Sequence, residues 1–217
     1  MKDLKFIARQ LRKPSCDFAG TIAEKMVAAN LPLYELMFHN ITFRDYDSIL
    51  EIGFGSGAHF SDLLNMAYDL EICGIDYSPE MTELAKSINK VGLKTGRLKL
   101  HTGNSSCLPF QDGSFNTVFC NMVVYFWDDP SEHLGEILRV LKPGGIFYTG
   151  MRARESMLQF PFTKFGFNLY STDEWCAVLQ SHGFNVVGDF RKKDPVFDDD
   201  GDRVQLESVC IAAQKQG

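Results

Sequence analysis

The sequence predicts an α/β protein whose core is a mostly parallel sheet with helices on both faces. Two observations carry this. Short apolar runs alternate with helix-like stretches from about residue 46 onward, which implies right-handed crossovers between parallel strands. One of those runs, "ILEIGFGSGAHF" at Ile49–Phe60, passes through three alternate glycines, Gly53, Gly55 and Gly57. A loop that gives up so many side chains lets something approach its backbone closely.

The elements follow in order. Residues 1 to about 45 read as helical, with Pro32 expected to split the stretch in two. "DSILEI" ends at glycine and reads as a buried strand, and "HFSDLLNMA" as the helix after it. "LEICGID" is a second strand. In "SPEMTELAKSINKVG", Met81, Leu84, Ala85 and Ile88 share one helical face, with Ser78 as N-cap and Pro79 at the first position. "RLKLHTG" and "NTVFCNMVV" are strands three and four. "DDPSEHLGEILRVLKPGG" is a helix, with Asp129 as cap and Glu132 expected to complete a capping box. "GIFYTG" is strand five, and "STDEWCAVLQSHG" a helix capped by Ser171 or Thr172. "NVVGDFRKK" and "DRVQLESVCIAAQ" are expected to pair antiparallel at one edge. The chain therefore divides into an N-terminal helical cap, residues 1–45, and an α/β domain, residues 46–217.

Composition narrows the function classes. The 217 residues carry a net charge of −6, which argues against a nucleic-acid partner. No apolar run is long enough to span a bilayer, and "MKDLKFIARQLRK" lacks the apolar centre of a secretory signal. The six cysteines are scattered, so neither a disulfide framework nor a zinc site is expected. These features predict a cytoplasmic protein without integral membrane association. "DDDGD" at 198–202 lacks the spacing of a calcium loop and reads as a hairpin turn, and no metal site is read anywhere.

The glycine loop by itself is ambiguous. Gly53, Gly55 and Ala58 satisfy the dinucleotide pattern G-x-G-x-x-G/A, whereas Gly53, Gly55 and Gly57 give G-x-G-x-G. Asp76 ends strand two, where a carboxylate accepts from ribose hydroxyls in either case. Glu51, two residues before the first glycine, disfavours a pyrophosphate and suits a cationic cofactor. "LEIGFGSG", "GIDYSPEMTELAK", "GNSSCLPFQDGSFNTVFCNMVVYFW" and "EILRVLKPGGIFYTG" then resemble, in order and spacing, the class I S-adenosylmethionine-dependent methyltransferases. The resemblance covers about residues 46–150. It implies a Rossmann-like, doubly wound, seven-stranded sheet with an antiparallel C-terminal strand, and S-adenosyl-L-methionine as cofactor. It places Glu51, Gly53, Phe54, Gly55 and Gly57 on the motif that holds the methionine part, and Asp76 on the ribose-binding acid. Tyr77 and Met81 fall near the adenine, Asn104 and Ser105 at its edge, and Asn121 and Met122 beside the methionine moiety. At position 104 the family has Asp. Asn can both accept and donate there, and "GNSS" also suits an Asx-turn.

The activity expected from the resemblance is methyl transfer to a small-molecule acceptor: a quinone precursor, a lipid or another metabolite. The alternatives are a non-catalytic protein that binds the same cofactor and an NAD(P)-linked oxidoreductase. No catalytic residue is named. Tyr125, Phe162 and Phe165 are the candidate substrate residues, from the aromatic density after strands four and five. "LRKPS" at Leu11–Ser15 is a candidate lid over the cofactor. The sequence leaves the acceptor and the oligomeric state open.

Overall fold

The computed structural model describes residues 3–15, 19–199 and 202–216. Five parallel strands build the centre: β1 (Ser48–Ile52), β2 (Glu71–Asp76), β3 (Leu98–Thr102), β4 (Phe115–Asn121) and β5 (Leu141–Arg152). Two antiparallel strands complete it, β6 (Phe184–Lys193) and β7 (Glu207–Lys215). The order is β3-β2-β1-β4-β5-β7-β6, so β7 is inserted beside β5 and β6 forms the edge. Residues 197–199 and 202–204 make a separate small hairpin between β6 and β7, so the final pair begins at Glu207 rather than Asp202. The turn of that hairpin, at 200–201, lies outside the described residues.

Four of the five residues of β1 are buried, as expected for a central strand covered on both faces. One apolar cluster, including Leu50, Val118, Phe147 and Trp175, fills one side of the sheet. The other, including Ile49, Phe60, Phe119 and Met37, fills the opposite side. The helices are α1 (Leu4–Arg12), α2 (Ala19–Asn40), α3 (Phe60–Leu63), α4 (Pro79–Ile88), α5 (Lys90–Lys94), α6 (Pro130–Val140), α7 (Arg154–Met157) and α8 (Thr172–Ser181).

Several local expectations are corrected. Pro32 does not split α2, which runs through it. The ring removes one helical donor, but α2 is held from outside: Leu33 and Met37 are fully buried. The Arg152 guanidinium also donates to Ala29 O at 2.8 Å, next to the carbonyl that Pro32 leaves without its helical donor. The helix after the glycine loop is only four residues long. On α4 the inward face is Met81, Thr82 and Ala85, whereas Ile88 is exposed. Asp129 caps α6 by accepting from Ser131 N, and Glu132 does not close a capping box. Ser171 does form one, with Glu174.

Candidate functional site

At the C-terminal ends of β1, β2 and β4 the chain leaves a cavity of about 420 Å³, where open α/β sheets bind ligands. Its first wall is the glycine loop. Gly53 has φ +74°, and a Cβ there would collide with the Val123 side chain. Gly55 has φ +56°, and nothing lies within 4 Å of where its Cβ would stand. A ligand can therefore reach the Gly55 backbone.

Asp76 forms the second wall. Its carboxylate accepts from Gly55 N (Oδ2, 2.8 Å) and Ser78 N (Oδ1, 2.8 Å). Burial pushes its pKa up to about 6, against the lowering effect of those two amides. The strand end, the N-cap of α4 and the glycine loop thus meet at one carboxylate. Ser78 caps α4 through Met81 N, and its hydroxyl donates to Pro14 O at 2.7 Å.

The third wall follows β4. Asn121 is buried, and neither atom of its side-chain amide has a hydrogen-bond partner among the described residues. Met122 follows with φ 60°, a left-handed conformation that non-glycine residues rarely adopt. It marks local strain at the cavity wall. The far end is made by Trp127 and His133, whose rings stack at 4.6 Å between centroids. His133 Nδ1 lies 2.7 Å from Ser105 Oγ, and burial holds the imidazole's pKa down to about 4, so it is neutral at physiological pH.

The fourth side is the segment after α1. Leu11, Arg12 and Pro14 line the cavity. Arg12 pairs with Asp128 at 2.9 Å, and Lys13 Nζ sits 4.6 Å from the Tyr77 ring centre. Sequence reasoning raised this segment as a lid, but nothing in the sequence pairs it with Ser78 or Asp128.

Gly53, Gly55, Asp76, Tyr77, Met81, Asn104, Ser105, Asn121 and Met122 are brought together around this cavity. Asn104 also forms the Asx-turn, accepting from Ser106 N at 3.2 Å. Glu51, Phe54 and Gly57 do not line it. Phe54 is buried against Phe60, and a Cβ on Gly57 would press on the Phe60 ring. Glu51 is fully buried, with both oxygens engaged by Tyr34 and His59.

The three candidate substrate residues also stand apart from the cavity. Tyr125 is fully buried, donating to Arg152 O at 2.7 Å and accepting from Arg152 N at 2.6 Å. Phe162 stacks on Phe160 at 5.4 Å, and the Phe165 ring lies beneath Lys5 of α1. Val123, Phe126 and Trp127 also line the cavity and were not read as site residues from the sequence. The "YFW" run was the available signal for the last two.

Fold and cavity together define a doubly wound α/β domain with a ligand-sized cavity at the C-terminal ends of its strands. A family model described as a methyltransferase domain matches residues 50–149. The demethylmenaquinone methyltransferase of Deinococcus radiodurans is 33% identical over 113 residues, covering 52% of this chain and 43% of that protein. The chain thus spans less than half the length of that relative. The uncharacterized methyltransferase YdaC of Bacillus subtilis is 30% identical over 131 residues, covering 60% of this chain and 70% of that one. In structure, a Haloferax volcanii methyltransferase in complex with the Trm112 methyltransferase activator superposes with a TM-score of 0.80 at 21% identity, covering 92% of this chain and 95% of that chain. The chain belongs to the class I S-adenosylmethionine-dependent methyltransferases, and S-adenosylmethionine is its cofactor. The glycines are therefore not read as an NAD(P) site. Among the described residues no helix is long and apolar enough to cross a membrane.

Proposed function

We propose that the cavity holds S-adenosylmethionine and that the chain transfers its methyl group to a small-molecule acceptor. One observation carries the placement: the buried Asp76 carboxylate at the end of β2 and the open Gly55 backbone stand on adjoining walls of one cavity. In this reading Asp76 accepts the ribose hydroxyls. Tyr77 and Met81 flank the adenine, and Asn104 and Ser105 meet its edge. Gly53, Gly55, Asn121 and Met122 hold the methionine part.

When bound, S-adenosylmethionine supplies an electrophilic methyl on a sulfonium. The chain's own part is to position and dry the site. The glycine loop and Asp76 fix the cofactor, and Leu11 and Pro14 exclude water from the side opposite the sheet. Relatives named as demethylmenaquinone methyltransferases make a quinol the first acceptor class to test. The experiment is transfer of a labelled methyl from S-adenosylmethionine to demethylmenaquinol, in parallel with lipid and other small-metabolite acceptors. Label on one acceptor class supports the reading. No label on any, with tight cofactor binding, would instead mark a protein that binds the cofactor without turnover.

A further inference from the structure

The cofactor cavity ends in a serine–histidine pair. Ser105 follows β3, and His133 stands in the first turn of α6; both are buried and both line the cavity. Ser105 Oγ and His133 Nδ1 lie 2.7 Å apart. The Trp127 ring lies over the imidazole, with 4.6 Å between centres and 7° between planes, which fixes the plane of the imidazole. Among the described residues the Ser105 hydroxyl has no second hydrogen-bond partner.

A serine hydroxyl by itself can turn to donate or to accept. Pairing removes that freedom. A neutral imidazole has one nitrogen that donates and one that accepts, whereas an imidazolium only donates. Burial holds His133 neutral, with a pKa of about 4, against the pull of Asp128 and Asp129. The ring can therefore take the Ser105 hydrogen on Nδ1 and keep its own hydrogen on Nε2. Ser105 Oγ is then left with lone pairs only.

Asn104, next in the chain, is fixed in the opposite sense. It is exposed at the cavity rim, and its Oδ1 accepts from Ser106 N at 3.2 Å. The oxygen end of the amide is turned back on its own loop, so the end free to meet a ligand is the donor Nδ2. An acceptor beside a donor matches adenine, which offers the N6 hydrogens and the N1 lone pair. A 6-oxo purine offers the inverse, an oxygen at position 6 and a hydrogen on N1.

We propose that Ser105 Oγ accepts from the amine of the cofactor's adenine, and that His133 is the positioning residue that holds the hydroxyl in that state, so that the pair selects adenine over a 6-oxo purine. The inference rests on the reading that puts the adenine edge at Asn104 and Ser105, and it divides that edge between them. It also accounts for Asn at 104, where the family has Asp. The acceptor that Asp would supply has moved one residue along the chain, and it is set by a side chain 28 residues further on.

Calorimetry of S-adenosylhomocysteine against S-inosylhomocysteine tests it. Wild type should bind the adenine compound at least about 10-fold more tightly. His133→Phe keeps a ring under Trp127 and removes the nitrogen. It should shrink the preference at least about 5-fold, because the released hydroxyl can turn and donate to the 6-oxo group. Ser105→Ala should shrink it as far, and adding His133→Phe to Ser105→Ala should change the preference no more. A merely structural role weakens both ligands alike; an unchanged ratio in His133→Phe overturns the proposal, and so does equal affinity of wild type for the two. Should His133→Phe not fold, Ser105→Ala and the ring nitrogen shifts of wild type carry the test. In the S-adenosylhomocysteine complex His133 should carry its hydrogen on Nε2, and a hydrogen on Nδ1 overturns the proposal. Binding of neither nucleoside would sink the cofactor reading and this inference with it, whereas tight binding without preference sinks the inference alone.

Discussion

The two sides of the cofactor cavity are built by different physics. The cradle, from β1 through the start of α4, is made by backbone: positive-φ glycines, a strand end and a capped helix within about thirty residues. The cover is made by side chains that meet across long sequence separations. Arg12 reaches Asp128, 116 residues away, and the Ser78 hydroxyl reaches Pro14 O, 64 residues away. Backbone geometry demands particular residue types at fixed spacing. Side-chain docking demands only a partner, which many residues could be.

The largest effect expected is at the backbone of the cradle. Gly53→Ala forces a Cβ into the left-handed region and against Val123, at a combined cost of about 2–5 kcal/mol. Denaturation should show the loss of stability, and calorimetry the loss of cofactor binding. A variant as stable as wild type would show that the loop tolerates side chains and that the contrast is false.

Asp76→Asn comes next. Losing hydrogen bonds to a charged acceptor costs roughly 1.5–3 kcal/mol, or about 10–100-fold in cofactor affinity. The pH dependence sharpens this. Asp76 has a folded pKa raised to about 6, above its unfolded value, so the native state binds more protons over that interval. The ligand-free protein therefore gains stability from this group as pH falls through 6. Cofactor affinity moves the other way, falling below pH 6 because ribose hydroxyls donate to the ionised form. Asp76→Asn should abolish both trends. Parallel trends in wild type would remove Asp76 from the ribose role.

Away from the cradle the effects should be structural or small. Tyr125→Phe removes the hydroxyl that bonds both backbone groups of Arg152 and should cost about 1–3 kcal/mol in stability, with cofactor affinity unchanged. An affinity loss without a stability loss would return Tyr125 to the binding site. Arg12→Ala breaks an exposed pair and should weaken cofactor binding by no more than about 5-fold. A larger loss would mean that the cover holds the ligand as firmly as the cradle does.

The same contrast explains what could be read from the residues alone. The alternation of strands and helices, the parallel centre and the antiparallel end were legible because periodicity and caps are local. So were the glycine loop and the acid at the end of β2. Pro32 misled because a proline's usual consequence was overridden by packing: α2 is pinned by Leu33 and Met37 in the core and by Arg152 at Ala29. Glu51 was read beside the cofactor because its position on β1 was visible while Tyr34 and His59 were not. Both of its oxygens are claimed from segments on either side. The aromatic run after β5 was legible as a cluster, but which rings would stack on each other and which would sit under α1 was not.

The central claim is that the cradle around Asp76 and the glycine loop holds S-adenosylmethionine. Calorimetry of S-adenosylmethionine and S-adenosylhomocysteine against wild type and Asp76→Asn, with NAD as control, tests it most directly. The account predicts that both sulfur nucleosides bind wild type, that both lose about 10–100-fold in Asp76→Asn, and that NAD does not bind. Equal affinity for the two proteins, or binding of NAD in place of the sulfur nucleosides, would contradict it.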